Sequence, residues 1–280
     1  AVFPKGFFDA LVQRRMTLTR WLELAATLGI EGVELYPRFL DGLELTEARR
    51  VRAAARARGL AVPMMCHSPD FTQPDAAARA AEVERTRAVI AVTAELGGAF
   101  CRVLSGQNRP GLDPAAVHGW VVAAIEAVLP AARSAGITLV LENHFKDGLW
   151  QHPEFAQRHD RYLAILRALP TLKAQYDPSN AVVAGEDQYA LLEEVLPRVA
   201  TVHASDRFMT DGKLTHGVIG RGLNDYGRIF TRLAAAGFAG WISIEDGAAP
   251  TEEEGMANLR ASADFLRAGI ASYFGAGVRA

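Results

Sequence analysis

The chain has 280 residues, half of them hydrophobic, with a formal net charge of −2 and only two cysteines, Cys66 and Cys101. That balance supports a sizeable core and speaks against disorder, a disulfide framework and a basic nucleic-acid-binding surface. The longest apolar stretches, VVAAIEAVLPAA among them, meet a charge or a proline early, and AVFPKGFFDALVQRR lacks the basic-then-apolar order of a secretory signal. The expectation is a soluble cytoplasmic protein with no membrane or nucleic-acid partner.

Apolar runs alternate with amphipathic segments along the whole chain. The first run, 2–8 (VFPKGFF), predicts a strand and is followed by a helix near 17–29. Strands at 31–36 and 60–66 follow, with helices near 46–58 and 74–97, then a strand at 99–104 and a helix near 112–135. The second half repeats the pattern. Strands are expected at 137–142, 172–177, 199–204 and 240–245, with helices near 153–169, 185–196, 223–237 and 251–269. Thr17, Thr46, Asp113 (with Pro114 next) and Thr251 stand where helix N-caps belong. Gly29, Gly59, Gly136 and Gly237 sit just past helix ends, where a left-handed residue is wanted.

Eight strand–helix units in a chain of this length is the size of a (β/α)8 barrel. A doubly wound open sheet would want a glycine-rich turn after the first strand, and FPKGFFDAL supplies one glycine. No linker or low-complexity block divides the chain. The reading is a single α/β domain over 1–280, a TIM barrel whose active site lies at the C-terminal ends of its strands.

Four residues in the second half each close a buried-strand run: Glu142 in ITLVLEN, Asp177 in LKAQYDP, His203 in VATVHAS and Glu245 in WISIED. A polar residue at the end of such a run has left the core for the mouth. Three carboxylates and one imidazole on neighbouring strands make an oxygen-rich site suited to Mn²⁺, Mg²⁺ or Co²⁺ more than to thiolate-held zinc. Further polar residues sit at other strand ends. Glu34 ends the second strand, His67 follows the third, and His144 lies two residues past Glu142. Asn180 follows Asp177, and Asp206 and Arg207 follow His203. His67 and His144 are candidates to bind substrate or move protons. Gly220 and Gly222, ahead of the seventh helix, could cradle phosphate on backbone N–H groups, although a tight turn explains a lone GxG better. Phe7, Phe8, Tyr36, Phe71, Phe145 and Trp150 stand near the expected mouth and suit a ligand with an apolar face.

Taken in order, LENH, YDPSN, VHASD, HGVIGRGLNDY and GWISIEDG resemble the xylose isomerase-like barrel superfamily. That group includes sugar and sugar-phosphate isomerases, ketose 3-epimerases, inosose dehydratases and endonuclease IV-type enzymes. The resemblance implies that Glu142, Asp177, His203 and Glu245 hold one divalent ion, Mn²⁺ foremost, with Mg²⁺, Co²⁺ or Zn²⁺ as alternatives. It further implies that Glu142 and Glu245 are acid–base groups on opposite faces of a sugar. Arg207, His216, His67, Asn180 and Glu34 are the substrate-binding candidates. Two departures stand out. The epimerases carry a histidine where this chain has Asn180, and the trinuclear zinc set of the nucleases is incomplete, with Leu214 two residues before His216. ENHFKDGLW also resembles subunits that cleave 3-keto C-glycosides by elimination, with His144 as base.

The expected activity is therefore metal-dependent isomerisation or epimerisation of a sugar through an enediolate. The alternative is a lyase acting on a keto-glycoside or keto-inositol. An abasic-site nuclease or a non-catalytic sugar-binding barrel comes last. A homo-oligomer or a small partner subunit is compatible with all of them.

Overall fold

In the computed structural model, residues 1–247 and 249–274 are described. Six parallel strands form one continuous ladder: β1 (Met64–Cys66), β2 (Phe100–Val103), β3 (Thr138–Glu142), β4 (Lys173–Tyr176), β5 (Val199–Ala204) and β8 (Trp241–Ile244), in that spatial order. Between β5 and β8 in sequence, β6 (Asp206–Thr210) and β7 (Lys213–Gly217) form a separate antiparallel hairpin. Single bridges, all parallel, complete the cylinder. Val2 bridges both Val33 and Ile244, Gly32 bridges Ala61, and Leu35 bridges Met65. Val2 thereby joins β8 to the segment around Val33, which in turn reaches β1 through Leu35, so the curled sheet is a closed barrel.

The first strand is much shorter than the 2–8 predicted. Pro4 cannot donate to a ladder, and the chain turns through a 3-10 segment, Lys5–Phe7, into α1 (Phe8–Val12). Phe7 packs outward on Trp21, with ring centroids 5.3 Å apart.

Eight helices form the outer layer: α2 (Leu18–Ala25), α3 (Leu45–Arg56), α4 (Ala76–Leu96), α5 (Pro114–Ser134), α6 (His159–Ala168), α8 (Gln188–Val195), α9 (Tyr226–Ala235) and α10 (Glu252–Tyr273). A short extra helix, α7 (Pro178–Val183), follows β4 directly. Thr17, Asp113 and Thr251 cap as expected, accepting from the backbone N–H of Arg20, of Ala115 and Ala116, and of Glu254. Thr46 does not. The bond from Ala48 N to Glu44 O starts α3 at Leu45, which leaves Thr46 inside the first turn. By length and composition alone α5 is apolar enough to cross a bilayer. Here it packs beside α4 and α6 and buries Val117, Val121, Ile125 and Val128.

The strands are apolar on both faces because both are covered, by the outer helices and by the barrel interior. Met64, Met65, Val103, Val140, Leu141, Tyr176 and Ile242 are all buried. Each such side chain contributes roughly 1.5–3 kcal/mol relative to leaving it exposed. Polar residues at the strand ends are thus set on a rigid frame.

Candidate metal centre

Glu142 is the last residue of β3, Asp177 follows β4, His203 lies in β5 and Glu245 follows β8. These four strands are consecutive around the barrel. One ligand atom from each of the four side chains lies within 4.8 Å of all the others, and all four residues are buried. Asp177 doubles as the N-cap of α7. Its Oδ1 accepts from Ser179 N at 2.7 Å, Asn180 N at 3.2 Å and Ser205 Oγ at 2.7 Å. Its backbone is pinned by Asn143, which donates to Asp177 O at 2.7 Å and accepts from Asp177 N at 2.8 Å. Its other oxygen, Oδ2, is buried with no hydrogen-bond partner. A buried carboxylate oxygen left unpaired within a ring of ligand atoms is what a cation-binding cluster requires.

The charges tell the same story. Burial, reinforced by Glu245 and Glu142, pushes the Asp177 carboxyl up to about 7. Burial also acts against ionised Glu142, but His203 and Arg102 outweigh it and hold that carboxyl far below its ordinary range. Arg102 Nη1 donates to Glu142 Oε2 at 2.7 Å, and Asn180 Nδ2 lies 3.4 Å from Oε1. Glu245 is held at about 2: burial opposes ionisation, and Lys5 and His203 overcome it. Lys5 Nζ donates to its Oε1 at 3.1 Å. Burial disfavours a charged His203, yet Glu142 and Glu34 keep its pKa well above the usual imidazole value. In the metal-free protein, then, a proton on His203 neutralises part of a site that collects negative charge. The donor set fits a hard or borderline divalent ion.

A cavity of about 220 Å³ opens beside this quartet, lined by Phe3, Phe8, Tyr36, Arg102, His144 and Glu245 among others. Phe8 and Tyr36 supply an apolar wall, with ring centroids 5.1 Å apart. Phe71 is wholly buried, and Phe7 lies in the packing against Trp21, so neither forms part of that wall.

His144 faces the cavity at one side and Glu154 at the other. Its Nδ1 lies 3.6 Å from Glu154 Oε2, and neither atom has a hydrogen bond. Burial lowers His144 to about 4 and raises Glu154 to about 8, so both are uncharged at neutral pH in the metal-free protein. Glu154 was not visible as a site residue in the sequence, because it follows a loop rather than a strand and no motif marks it.

The hairpin is the other element that sequence reading missed. Asp211 and Gly212, with φ of 50° and 73°, form its turn, and an Asp-Gly pair is a strong hairpin signal. It sets Arg207 opposite His216. Arg207 Nε and His216 Nδ1 are buried without partners. Burial lowers the Arg207 pKa, and Asp177 and Glu245 act against that. His216 is lowered to about 4, first by burial and then by Arg207.

Two candidates stand elsewhere. His67 turns toward α4, with Nε2 3.2 Å from Thr86 Oγ1, and is not on the cavity. Glu34 is fully buried behind His203, accepting from its Nε2 at 2.7 Å. The GxG cradle is also filled. Gly220 N and Gly222 N both donate to Asp206 Oδ2, at 3.0 and 2.9 Å, and Asn224 N donates to Oδ1 at 3.2 Å. Asp206 thus occupies the donors a phosphate would need.

A family model described as the xylose isomerase-like TIM barrel matches residues 22–269. The chain belongs to this family. Several solved structures share its fold. A D-psicose 3-epimerase from Clostridium cellulolyticum H10, determined with D-tagatose, is 14% identical, with a TM-score of 0.75 over 91% of this chain and 94% of that one. An L-ribulose 3-epimerase is 19% identical, TM-score 0.74, over 97% and 95%. A 3-keto-D-glucoside 4-epimerase from E. coli is 16% identical, TM-score 0.72, over 96% and 98%. At these identities the likeness establishes the fold. No curated protein sequence matches the chain.

Proposed function

We propose that this xylose isomerase-like barrel is a divalent-metal-dependent sugar isomerase or epimerase. The observation that carries the reading is the buried Glu142–Asp177–His203–Glu245 quartet with the unpartnered Asp177 Oδ2. The similarity in fold to two ketose 3-epimerases and a keto-glucoside 4-epimerase supports it. Mn²⁺ suits the oxygen-rich donor set best.

A divalent ion held there would act as a Lewis acid on a sugar carbonyl and its neighbouring hydroxyl, which acidifies the adjacent C–H. The protein's own residues then divide the work. Asp177 and His203 would hold the ion, one braced by α7 and Ser205, the other by Glu34. Glu142 and Glu245 each keep one oxygen toward the quartet while Arg102 and Lys5 steady the other. In this arrangement one carboxylate removes the proton from carbon and the other returns it, to the next carbon or to the opposite face. Phe8 and Tyr36 offer a surface for the apolar face of the ring, while Arg207 and His216, with Nε and Nδ1 buried and unpartnered, stand outside the cavity lining.

A second reading rests on the facing of His144 and Glu154. A neutral imidazole on the cavity, backed by a carboxyl, is a base independent of the metal ligands. Proton removal by His144 followed by expulsion of a β-substituent would make the protein a lyase. Proton NMR in D₂O with Mn²⁺-loaded protein, over ketoses and 3-keto glycosides, separates the two. Deuterium entering an intact, rearranged sugar is the result expected. Release of the β-substituent would replace the isomerase reading with the lyase, and absence of any exchange across the panel would count against both.

A further inference from the structure

We infer that Glu34 is a positioning residue for the metal centre, fixing the His203 ring so that Nδ1 is the nitrogen offered to the ion. The inference rests on the metal reading above and deepens it.

Three strands converge on this one carboxylate. Cys66 at the end of β1 donates its thiol to Glu34 Oε2 at 3.2 Å, His203 in β5 donates Nε2–H to the same oxygen at 2.7 Å, and Ser243 in β8 donates its hydroxyl to Oε1. Glu34, Cys66, His203 and Ser243 are each wholly buried. A charged carboxylate is seldom fully buried without a specific set of partners, and here none of the three partners lines the cavity. Glu34 is not part of the cavity lining, whereas Glu245 is. Contact with substrate, the role expected from its strand-end position, is therefore replaced by contact with a ligand.

The geometry decides what that contact does. An imidazole whose Nε2–H is committed to a carboxylate presents the lone pair of Nδ1. That Nδ1 lies 3.2 Å from Glu142 Oε1 and 3.9 Å from Glu245 Oε2, so it points into the quartet. The Phe3 ring stacks on the same imidazole at 6.0 Å between centroids and covers its face. Rotating the ring to offer the other nitrogen would leave both Glu34 and Glu142 short of a buried partner. A carboxylate behind a ligating histidine also raises the basicity of the ligand nitrogen, and loss of such a partner typically weakens metal affinity 10–100-fold.

The test is metal binding rather than turnover. Calorimetric titration with Mn²⁺ and the visible spectrum of the Co²⁺ form are compared for the parent, Glu34→Gln and Ser243→Ala. Glu34→Gln should keep one ion per chain with affinity reduced about 10–100-fold and with shifted Co²⁺ bands. Ser243→Ala frees only the far oxygen and should give a smaller loss in the same direction. It also serves if Glu34→Gln fails to fold. A purely structural role for Glu34 would lower thermal stability while leaving affinity and bands unchanged, and that outcome overturns the inference. So would two ions in the parent and one in Glu34→Gln, since Glu34, Cys66 and His203 are also close enough to hold an ion themselves. A parent that binds no ion would instead refute the metal reading, and this inference with it.

Discussion

Replacing Asp177 by Asn removes a charge from the quartet without removing its scaffold. The amide oxygen can still accept from Ser179 N, Asn180 N and Ser205 Oγ, so α7 keeps its cap. The unpartnered Oδ2 becomes an amide nitrogen, which does not ligate a cation. In the metal-free protein burial, helped by Glu245 and Glu142, lifts this carboxyl from 3.8 to about 7. At about 1.36 kcal/mol per unit, ionising it in the folded state opposes folding by up to about 4 kcal/mol. The sign follows from linkage. A carboxyl with a raised folded pKa lowers stability as pH climbs from 3.8 to about 7, and above that the loss is complete. Metal-free Asp177→Asn should therefore be more stable than the parent near pH 8 and indistinguishable from it near pH 4. Saturating Mn²⁺ should narrow the gap, because only the parent gains binding energy, about 2.7 kcal/mol at a hundred times Kd. Urea unfolding at both pH values, with chelator or with millimolar Mn²⁺, gives all the needed comparisons. A variant less stable than the parent near pH 8 without metal, or one stabilised by Mn²⁺ as much as the parent, would refute the reasoning.

Two further variants probe the surroundings. Glu154→Gln removes a carboxyl whose folded pKa is raised by burial from 4.5 to about 8. The parent should lose stability as pH rises through that window. The variant should not, and it should end a few kcal/mol ahead above pH 8. Thermal melts from acid to alkaline pH check this, and parallel curves for the two proteins would sink it. Asp206→Ala strips the acceptor from four backbone N–H groups, those of Arg207, Gly220, Gly222 and Asn224. Unfolding in urea should show a loss of roughly 3 kcal/mol or more, partly restored by sulfate if the vacated donors take up an anion. An unchanged midpoint would mean that the loop is held by other contacts.

Much of the frame was legible because a parallel strand buried on both faces leaves a blunt signal. The run at 199–204 coincides with β5, and those at 137–142, 172–177 and 240–245 overlap β3, β4 and β8 within a residue or so at each end. The same signal misled at 2–8, where Phe7 and Phe8 are apolar for packing outside the barrel and Pro4 ends the strand. Strand-end position brought Glu142, Asp177, His203 and Glu245 together, yet it did not distinguish Glu34 and His67, which end or follow strands but turn away from the cavity. Side-chain direction at a strand's last residue depends on which neighbours are larger, and that is a property of packing. Glu154 and the β6–β7 hairpin escaped for a different reason. Both belong to loops, where the polar composition carries little periodicity, although Asp211-Gly212 carried a turn signal of its own.

The single bridges of Val2 have a bearing on how the molecule assembles. Val2 N donates to Gly32 O, Glu34 N to Val2 O, and Phe3 N to Ile244 O, so residues some 240 positions apart meet along one seam. Joining ends so distant in sequence is the slowest kind of contact for a folding chain, since the loop entropy is lost before the contact rewards it. Phe3, which covers His203, and Lys5, which steadies Glu245, sit on the same short segment. The quartet therefore reaches its final form only when the seam zips, and an ion gripping Glu142, His203 and Glu245 would act as the clasp that keeps it shut.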